Sequence, residues 1–168
     1  MISGLQIRAA THRVRGPLSL ADRLFAYALR SAGYFVRNEG ELPFGAVVLC
    51  NGEVISQNRC REATEKTVLA HAELHALNDA CKALDRTNLS DCIIYSTNEP
   101  CLMCAAAIFQ ARIPRIVIGA ARRDLPHLLR PRKFRIEHLV EDAGYHPEIV
   151  RDILRKEVLE LFDGIQKL

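Results

Sequence analysis

The chain has 168 residues, of which 49% are apolar, and this length predicts one domain over residues 1–168 with a single hydrophobic core. The net charge of +3 neither demands nor excludes a nucleic-acid partner. No apolar run approaches the roughly 18 residues of a membrane span, so no membrane association is expected. The N-terminus lacks the apolar core of a signal peptide. We therefore expect a cytoplasmic protein whose six cysteines are metal ligands or buried side chains rather than disulfides.

The N-terminal part of the chain is predicted to contain a basic arm, a helix and a hairpin. Residues 1–17 carry three arginines and no acidic residue, and we expect them to form a loose arm. Ser19 is a plausible N-cap for a helix over residues 20–37, where apolar side chains recur at helical spacing. The run FGAVVLCNGEVISQNR predicts a β-hairpin, because two β-rich segments flank Asn51 and Gly52, a strong turn signal.

Helices and buried strands alternate in the middle of the chain. A helix is predicted over residues 70–84, followed by the short buried strand DCIIYST. Pro100 favours the start of the next helix, over residues 101–111, and RIVIGAA is another buried strand. The order β-β-α-β-α-β indicates an α/β sandwich with helices on both faces of the sheet. Residues 122–168 are expected to be variable, with a basic irregular segment before a short strand and a closing helix.

Cys101 and Cys104 form a Cys-x-x-Cys pair, a spacing typical of a redox pair, half of a structural zinc site or two buried cysteines. The redox interpretation lacks a thioredoxin-like context, and a four-cysteine zinc site would need a second pair, which the sequence does not contain. Because Pro100 suits the first turn of a helix, both sulfurs are expected at a helix N-terminus. There the unpaired N–H groups and the helix dipole favour thiolates.

His71 lies at the start of the preceding predicted helix, and two successive α/β units bring two helix N-termini to one edge of the sheet. One imidazole and two thiolates leave the fourth tetrahedral position open for water, which is typical of a catalytic zinc, one ion per subunit. The carboxylate of Glu73 can reach toward that water from the first turn and transfer a proton. A packed core histidine and a carboxylate favoured by the helix dipole are the alternatives.

His75 is a competing ligand, since it lies one turn after His71. The run HAELH, however, is not the HExxH of a zinc protease, because the glutamate comes one position late. We therefore expect His75 to be a buried or edge histidine with a structural hydrogen bond.

The pattern His-x-Glu followed by Pro-Cys-x-x-Cys is the signature of zinc-dependent base deaminases. Together with PFGAVVLCNGEVISQNR, LSDCIIYSTNEPCLMCAAAI and ARIPRIVIGA, it makes the sequence resemble the cytidine-deaminase-like superfamily, in the branch of tRNA adenosine, guanine and fungal-type cytosine deaminases. The resemblance implies a three-layer α/β/α sandwich around a mixed five-stranded sheet, and a homodimer. It also implies hydrolytic conversion of an aminated base, nucleoside or related heterocycle to its oxo form with release of ammonia.

The resemblance assigns roles to matching positions. It implies that His71, Cys101 and Cys104 bind Zn²⁺ and that Glu73 transfers the proton. It further implies five substrate contacts, made by the side chains of Asn58, Phe44 and Phe109, the backbone N–H of Ala72 and the backbone carbonyl of Glu99. The alternatives are a turn asparagine at position 58 and ordinary core packing for the two phenylalanines.

Two segments depart from the pattern of the tRNA-editing members. Residues 67–70, TVLA, replace an Asp-Pro-Thr, and GAARRDLPHLLRPRKF replaces the loop after the fourth strand. A purine-like free base or nucleoside is therefore favoured, with tRNA adenosine, a cytosine-type pyrimidine and a non-catalytic zinc module as alternatives. The best argument for RNA is a basic run, for which a solvated or dimer-facing loop paired with acidic residues at 137, 141 and 142 is the alternative. The basic run comprises Arg122, Arg123, Arg130, Arg132, Lys133 and Arg135.

Overall fold

The computed structural model describes residues 41–165, and a five-stranded sheet forms their centre. The strands follow the spatial order β2-β1-β3-β4-β5. β1 is antiparallel to both β2 and β3, whereas β3, β4 and β5 run parallel. This confirms the expected mixed sheet, while the basic arm and the helix over residues 20–37 lie outside the described residues. The strands are β1 (Gly45–Cys50), β2 (Glu53–Arg59), β3 (Cys92–Asn98), β4 (Arg115–Ala120) and β5 (Glu148–Val150).

The predicted hairpin joins β1 to β2. Asn51 and Gly52 have φ angles of 51° and 82°, a left-handed pair that matches the tight turns favoured between antiparallel strands. The register pairs Cys50 with Glu53 across the turn and shifts at a bulge near Val48. The Asn-Gly signal therefore located both strands correctly.

Helices cover both faces of the sheet, as expected. Alternate residues of β1 enter two separate apolar clusters, so that Val48 packs with α2, α3 and α4, whereas Val47 packs with α5. The two predicted central helices are confirmed to within two residues at each end. The helices are α1 (Glu62–Glu65), α2 (Ala72–Ala83), α3 (Leu102–Gln110), α4 (Ile136–Ala143) and α5 (Arg155–Glu160), with a short 3₁₀ turn at Arg122–Asp124.

One prediction for the C-terminal region was wrong and another was right. The segment expected to be irregular contains α4, whose Ile136, Leu139 and Val140 pack on the core at helical spacing. Gly144 ends this helix in the left-handed conformation, with φ 58°. The short strand and closing helix are confirmed as β5 and α5. The basic composition before α4 obscured an ordinary amphipathic pattern.

The closing helix α5 packs unusually close to the sheet. A Cβ atom on Gly119 of β4 would lie 2.6 Å from Val158 Cγ2 and 2.7 Å from the Thr97 carbonyl oxygen, so only glycine allows this approach. Asp124 links the segment after β4 to α5, because its carboxylate accepts hydrogen bonds from Arg155 Nη2 at 2.8 Å and Nε at 3.0 Å. Among residues 41–165, no helix is long and apolar enough to span a membrane.

The Asp124–Arg155 pair predicts a pH-dependent contribution to stability. The hydrogen bond from Arg155 lowers the pKa of Asp124 from its usual 3.8, so this stabilisation is complete above about pH 4 and is lost as the pH falls through the lowered pKa. Asp124→Asn should reduce the free energy of unfolding at pH 7 by about 1 kcal/mol, as measured by urea denaturation. The difference between the two proteins should shrink below pH 4.

The exposed pair Lys156–Glu160 on the same helix, 3.7 Å apart, supplies the control. Glu160→Gln should leave the free energy of unfolding nearly unchanged, since exposed pairs contribute little. An Asp124→Asn difference that persists undiminished at pH 3 would show that the charge is not its source.

Candidate active site

Two helix N-termini place the predicted metal ligands. His71 is the N-cap of α2 and Cys101 is the N-cap of α3, each with extended backbone immediately before the helix begins. Neither side chain caps its own helix by a hydrogen bond. Both side chains instead point toward a common position, where Cys104 joins them from the first turn of α3. Sequence reasoning thus located both helix starts and the residues that meet between them.

His71, Cys101 and Cys104, here called the His-Cys-Cys cluster, have the spacing of zinc ligands. His71 Nδ1 lies 3.6 Å from Cys101 Sγ and 3.3 Å from Cys104 Sγ, and the two sulfurs are 3.5 Å apart. Tetrahedral zinc would separate nitrogen from sulfur by about 3.6 Å and the two sulfurs by about 3.8 Å. The three residues therefore fit Zn²⁺ and leave its fourth position to a non-protein ligand.

Electrostatics within the cluster favour the form of cysteine that binds metals. The hydrogen bond from Cys104, followed by that from His71, lowers the pKa of Cys101 to about 3. The hydrogen bond to Cys101, followed by burial, raises the pKa of Cys104, because one proton is shared between two adjacent sulfurs. The hydrogen bond to Cys101 also raises the pKa of His71. A divalent cation would remove this competition by accepting both sulfurs as thiolates.

Sequence reasoning missed a carboxylate behind His71. Glu62, in the short helix α1, places Oε2 3.5 Å from His71 Nε2. A carboxylate on the outer nitrogen of a ligating imidazole holds the ring orientation and its tautomer, here with Nδ1 toward the sulfurs. No spacing rule identifies this residue, because its position depends on the path of the loop between β2 and α2.

Glu73 lies in the first turn of α2 and is buried, with 7% of its surface exposed. Ser96 Oγ donates a hydrogen bond to Glu73 Oε1 at 2.9 Å. Burial raises the pKa of Glu73, which suits a group that must both accept and donate a proton near neutral pH. Its predicted role in proton transfer remains a prediction at this stage.

His75 is not part of the cluster. Its Nε2 lies 3.4 Å from Glu65 Oε2, but the two atoms lack hydrogen-bond geometry and this nitrogen has no hydrogen-bond partner among the described residues. Burial lowers the pKa of His75, which favours a neutral ring. The expected edge position is therefore observed, while the expected structural hydrogen bond is not observed at Nε2.

The side chain predicted to bind the substrate ring or sugar is engaged within the protein. Asn58 donates from Nδ2 to Asp79 Oδ2 at 2.8 Å and accepts at Oδ1 from Arg61 Nη2 at 2.7 Å. The contact of Asn58 with a substrate remains a prediction. It would require the Asn58 amide to give up or share its hydrogen bond with Asp79 or with Arg61.

The two predicted aromatic contacts pack in the apolar clusters. Phe44 stacks at 5.2 Å on Phe162, on the face of the sheet that α5 covers. Phe109 is 8% exposed and meets Tyr145 edge-on at 5.7 Å, two turns along α3 from Cys101. The structure thus places both rings in packing roles, and their contact with a substrate remains a prediction.

The two predicted backbone contacts lie at the helix starts. Ala72 is buried at the first position of α2, where backbone N–H groups have no acceptor within the helix. Glu99 precedes Pro100 and Cys101, and its carboxylate accepts from the Arg122 N–H at 3.2 Å and lies 3.6 Å from Arg151 Nη2. Both contacts remain predictions, made by backbone atoms that lie next to the His-Cys-Cys cluster in the chain.

A second group of metal-binding residue types lies at the opposite end of β1 and β3. Cys50 and Cys92 are register partners there, and both sulfurs approach the carboxylate of Asp91. Arg86 already pairs with Asp91 at 2.7 Å, which balances its charge. Burial raises the pKa of Cys92 to about 12, so this thiol stays protonated. We therefore interpret this group as packing rather than as a metal site.

Metal analysis of single variants tests the assignment of the His-Cys-Cys cluster. The wild-type protein should carry about one Zn²⁺ per chain, and His71→Ala should lose it because two remaining thiolates do not close a stable site. His75→Ala and Cys50→Ser should retain the zinc and serve as matched controls. Atomic absorption after gel filtration provides the measurement, and zinc loss in His75→Ala would show that α2 supplies two ligands.

Comparison with known proteins agrees with this geometry. Residues 18–120 match the family described as the cytidine and deoxycytidylate deaminase zinc-binding region. The chain is 34% identical over 125 residues to the tRNA-specific adenosine deaminase of Bacillus subtilis, covering 71% of this chain and 72% of that protein. It is 44% identical over 79 residues to the guanine deaminase of the same organism, covering 47% and 50%.

A solved structure from a study of A-to-I editing by tRNA:A34 deaminases superimposes with a TM-score of 0.70. It is 29% identical and covers 83% of this chain and 99% of that one. This match confirms the expected cytidine-deaminase-like fold. The fold, the His-Cys-Cys cluster and the family match lead to one conclusion: the chain belongs to the cytidine and deoxycytidylate deaminase family and is a zinc-dependent hydrolytic deaminase.

Proposed function

We propose that the substrate is an aminated purine, as a free base or nucleoside, which is hydrolysed to its oxo form with release of ammonia. Both named relatives act on aminated purines, one on guanine and one on adenosine in tRNA, and this shared chemistry supports the purine assignment. His71, Cys101 and Cys104 hold the zinc and Glu73 carries the proton.

The single observation that carries the mechanism is the buried Glu73 carboxylate beside the His-Cys-Cys cluster. When bound, zinc lowers the pKa of a water molecule to about 7 and so supplies a nucleophile at neutral pH. Glu73 would carry one proton of the attacking water to the ring nitrogen next to the amine-bearing carbon, as the oxygen bonds to that carbon. It would then carry the second proton, from the hydroxyl group that the carbon has gained, to the amino group. The C–N bond would break, ammonia would leave and the oxo group would remain.

Backbone groups at the two helix starts complete this site in the proposal. The Ala72 N–H donates toward the reacting oxygen or the base, where fixed dipoles stabilise developing charge. The Glu99 carbonyl accepts from the amino group that leaves. Asn58 contacts the ring or sugar. Phe44 and Phe109 shape the pocket indirectly, by packing against the side chains that line it.

A small substrate is favoured by the way the segment after β4 folds back beside Cys101. The Arg122 N–H binds the Glu99 carboxylate, and Asp124 is held by Arg155 of α5. Beside this segment lies a narrow cleft at the edge of the cluster, lined by Glu99, Cys101, Arg122, Arg132, Phe134 and Arg135. A larger cavity of about 330 Å³ lies between the same segment and α5, and no cluster residue lines it.

A panel assay tests the substrate and the role of Glu73 together. We would measure ammonia release from guanine, adenine, cytosine, their nucleosides, aminated triazines and pterins, and an anticodon stem-loop RNA. One small purine should be turned over, and Glu73→Ala should reduce kcat by about 10²-fold or more while retaining zinc. Zinc loss in Glu73→Ala would mean that the carboxylate is a ligand, and turnover of cytosine alone would replace the purine assignment.

A tRNA adenosine is the second candidate, and the basic run beside the cleft favours it. None of the ion pairs among residues 41–165 involves this run, and the predicted partner Glu137 binds Arg151 instead. Burial, followed by repulsion from Arg132, lowers the pKa of Arg122, and Phe134 is 64% exposed next to these arginines. Guanidinium groups that form no close ion pair with a carboxylate, near an exposed ring, suit phosphates and unstacked bases.

The RNA arm of the panel separates the two candidates. If only the stem-loop is turned over, and its activity falls steeply with salt and in Arg132→Gln, the basic run is the substrate surface. Salt-insensitive turnover of a free purine that Arg132→Gln leaves unchanged supports the first candidate.

A homodimer in the cytoplasm completes the proposal. On α3, Ala106 is exposed, whereas Ala105 is buried in the core and Ala107 packs against it. Val68 and Leu69, however, are 72% and 60% exposed immediately before His71, and a partner subunit would remove this apolar surface from water. The free thiols of all six cysteines agree with a reducing compartment.

Sedimentation equilibrium tests the dimer. At micromolar concentration the zinc-loaded protein should sediment at twice the mass of the chain, and Leu69→Asp should shift it toward the monomer because a charge there opposes burial. The exposed Val54→Asp, at the far end of β2, is the matched control and should leave the mass unchanged. A wild-type monomer under these conditions would contradict the assembly.

A further inference from the structure

A buried hydroxyl on the central strand contacts the carboxylate of Glu73. Ser96 lies on β3 and is 1% exposed. Its Oγ is 2.9 Å from Glu73 Oε1 and 2.7 Å from the backbone carbonyl oxygen of Asn98. We propose that Ser96 is a positioning residue, which holds the Glu73 carboxylate in the orientation that proton transfer requires. This inference rests on the proposed role of Glu73.

The position of Ser96 argues against an incidental polar contact. Ile94, two residues earlier on the same face of β3, and the register partners Ala46 on β1 and Ile118 on β4 are apolar and at most 1% exposed. An aliphatic side chain would fit a central strand better than serine. A hydroxyl in such surroundings must form hydrogen bonds to offset its burial, and here it binds the one carboxylate of α2 that faces the core.

The strand beneath Ser96 is fixed on both sides. Ser96 is the register partner of Ala46 on β1 and of Ile118 on β4. Asn98, which accepts the second hydrogen bond, donates from Nδ2 to the Ala120 carbonyl at 3.1 Å. Glu73 is therefore held by a group that cannot shift without disturbing three strands, which is the rigidity that precise placement of a reacting group needs.

The contact with Ser96 distinguishes the two oxygens of the Glu73 carboxylate. Ser96 Oγ holds Oε1 at 2.9 Å. The proton transfer that the proposal assigns to Glu73 therefore falls to the other oxygen, Oε2.

Removal of the hydroxyl tests this inference. Ser96→Ala should lower kcat on the order of 10- to 100-fold, the loss of one hydrogen bond to a charged group, and leave KM within about 2-fold, because positioning acts on the chemical step. Zinc content should stay at about one per chain. Ser96→Thr, which keeps the hydroxyl, should recover most of kcat. The substrate is the compound that the panel identifies, guanine in the expected case.

Ser56 provides a matched control, since it is a buried strand serine whose hydroxyl also binds α2. Its Oγ donates to the Ala76 carbonyl at 2.6 Å, one turn from Glu73 and without contact to a carboxylate. Ser56→Ala should lower the thermal midpoint and leave kcat unchanged. Two outcomes would show that Ser96 acts only on the structure and would overturn the inference. One is an equal loss of kcat in Ser56→Ala, and the other is loss of zinc in Ser96→Ala.

Two further outcomes separate this inference from the proposed function. Wild-type kcat in Ser96→Ala, with Glu73→Ala inactive, would overturn the positioning role alone. An active Glu73→Ala would overturn the role of Glu73 itself, whatever Ser96→Ala shows. A kcat that Ser96→Thr fails to recover, in a protein with normal zinc content and thermal midpoint, would show that the hydroxyl is not the group responsible.

Discussion

The structure depends on the convergence of two helix N-termini at one edge of the sheet. α2 and α3 each begin immediately after a residue in extended conformation, and these residues are His71 and Cys101. The helix dipoles favour negative charge at this point, but the pKa values of Cys104 and Glu73 are raised, so the dipoles alone do not balance two thiolates and a carboxylate. A bound cation then completes the balance, which makes metal binding and folding of this edge mutually dependent.

The carboxylate of Glu73 is the most costly feature of this edge. Burial raises the pKa of a carboxylic acid because water no longer stabilises its charged form. The ionised group is tolerated in the core only where a partner offsets part of the lost hydration free energy. The Ser96 hydroxyl and the charge of His71 are those partners, since both lower the pKa of Glu73. In the proposed mechanism, the pKa raised by burial suits Glu73 to take up and release a proton within one reaction cycle.

Much of this arrangement could be predicted because it is local in sequence. The Asn51-Gly52 turn, the Pro100 helix start and the His-x-Glu spacing each constrain a few adjacent residues. The contact of Glu62 with His71 was not predicted, because it depends on how the chain runs between β2 and α2. The hydrogen-bond partners of Asn58 were not predicted either, because they come from α2 and from the residues after β2. α4 was not predicted, because the basic residues before it suggested an irregular segment, although three of its apolar residues recur at helical spacing. Long-range geometry, rather than residue chemistry, was the missing information.

The segment after β4 connects substrate choice to the cluster. Glu99 precedes Pro100 and Cys101, and its carboxylate binds the Arg122 backbone and approaches Arg151. A substrate group that binds Arg122 or its neighbours therefore contacts a segment that is hydrogen-bonded to Glu99. Glu99 lies two residues before Cys101, a proposed zinc ligand. The proposed chemistry resides on α2, α3 and β3. The segment after β4 is held by the apolar packing of Leu125 and by the polar contacts of Asp124 and of the Arg122 N–H. If the cleft beside this segment binds the substrate, as proposed, substitutions of its side chains change substrate preference without moving the ligands, because the Glu99 anchor stays in place.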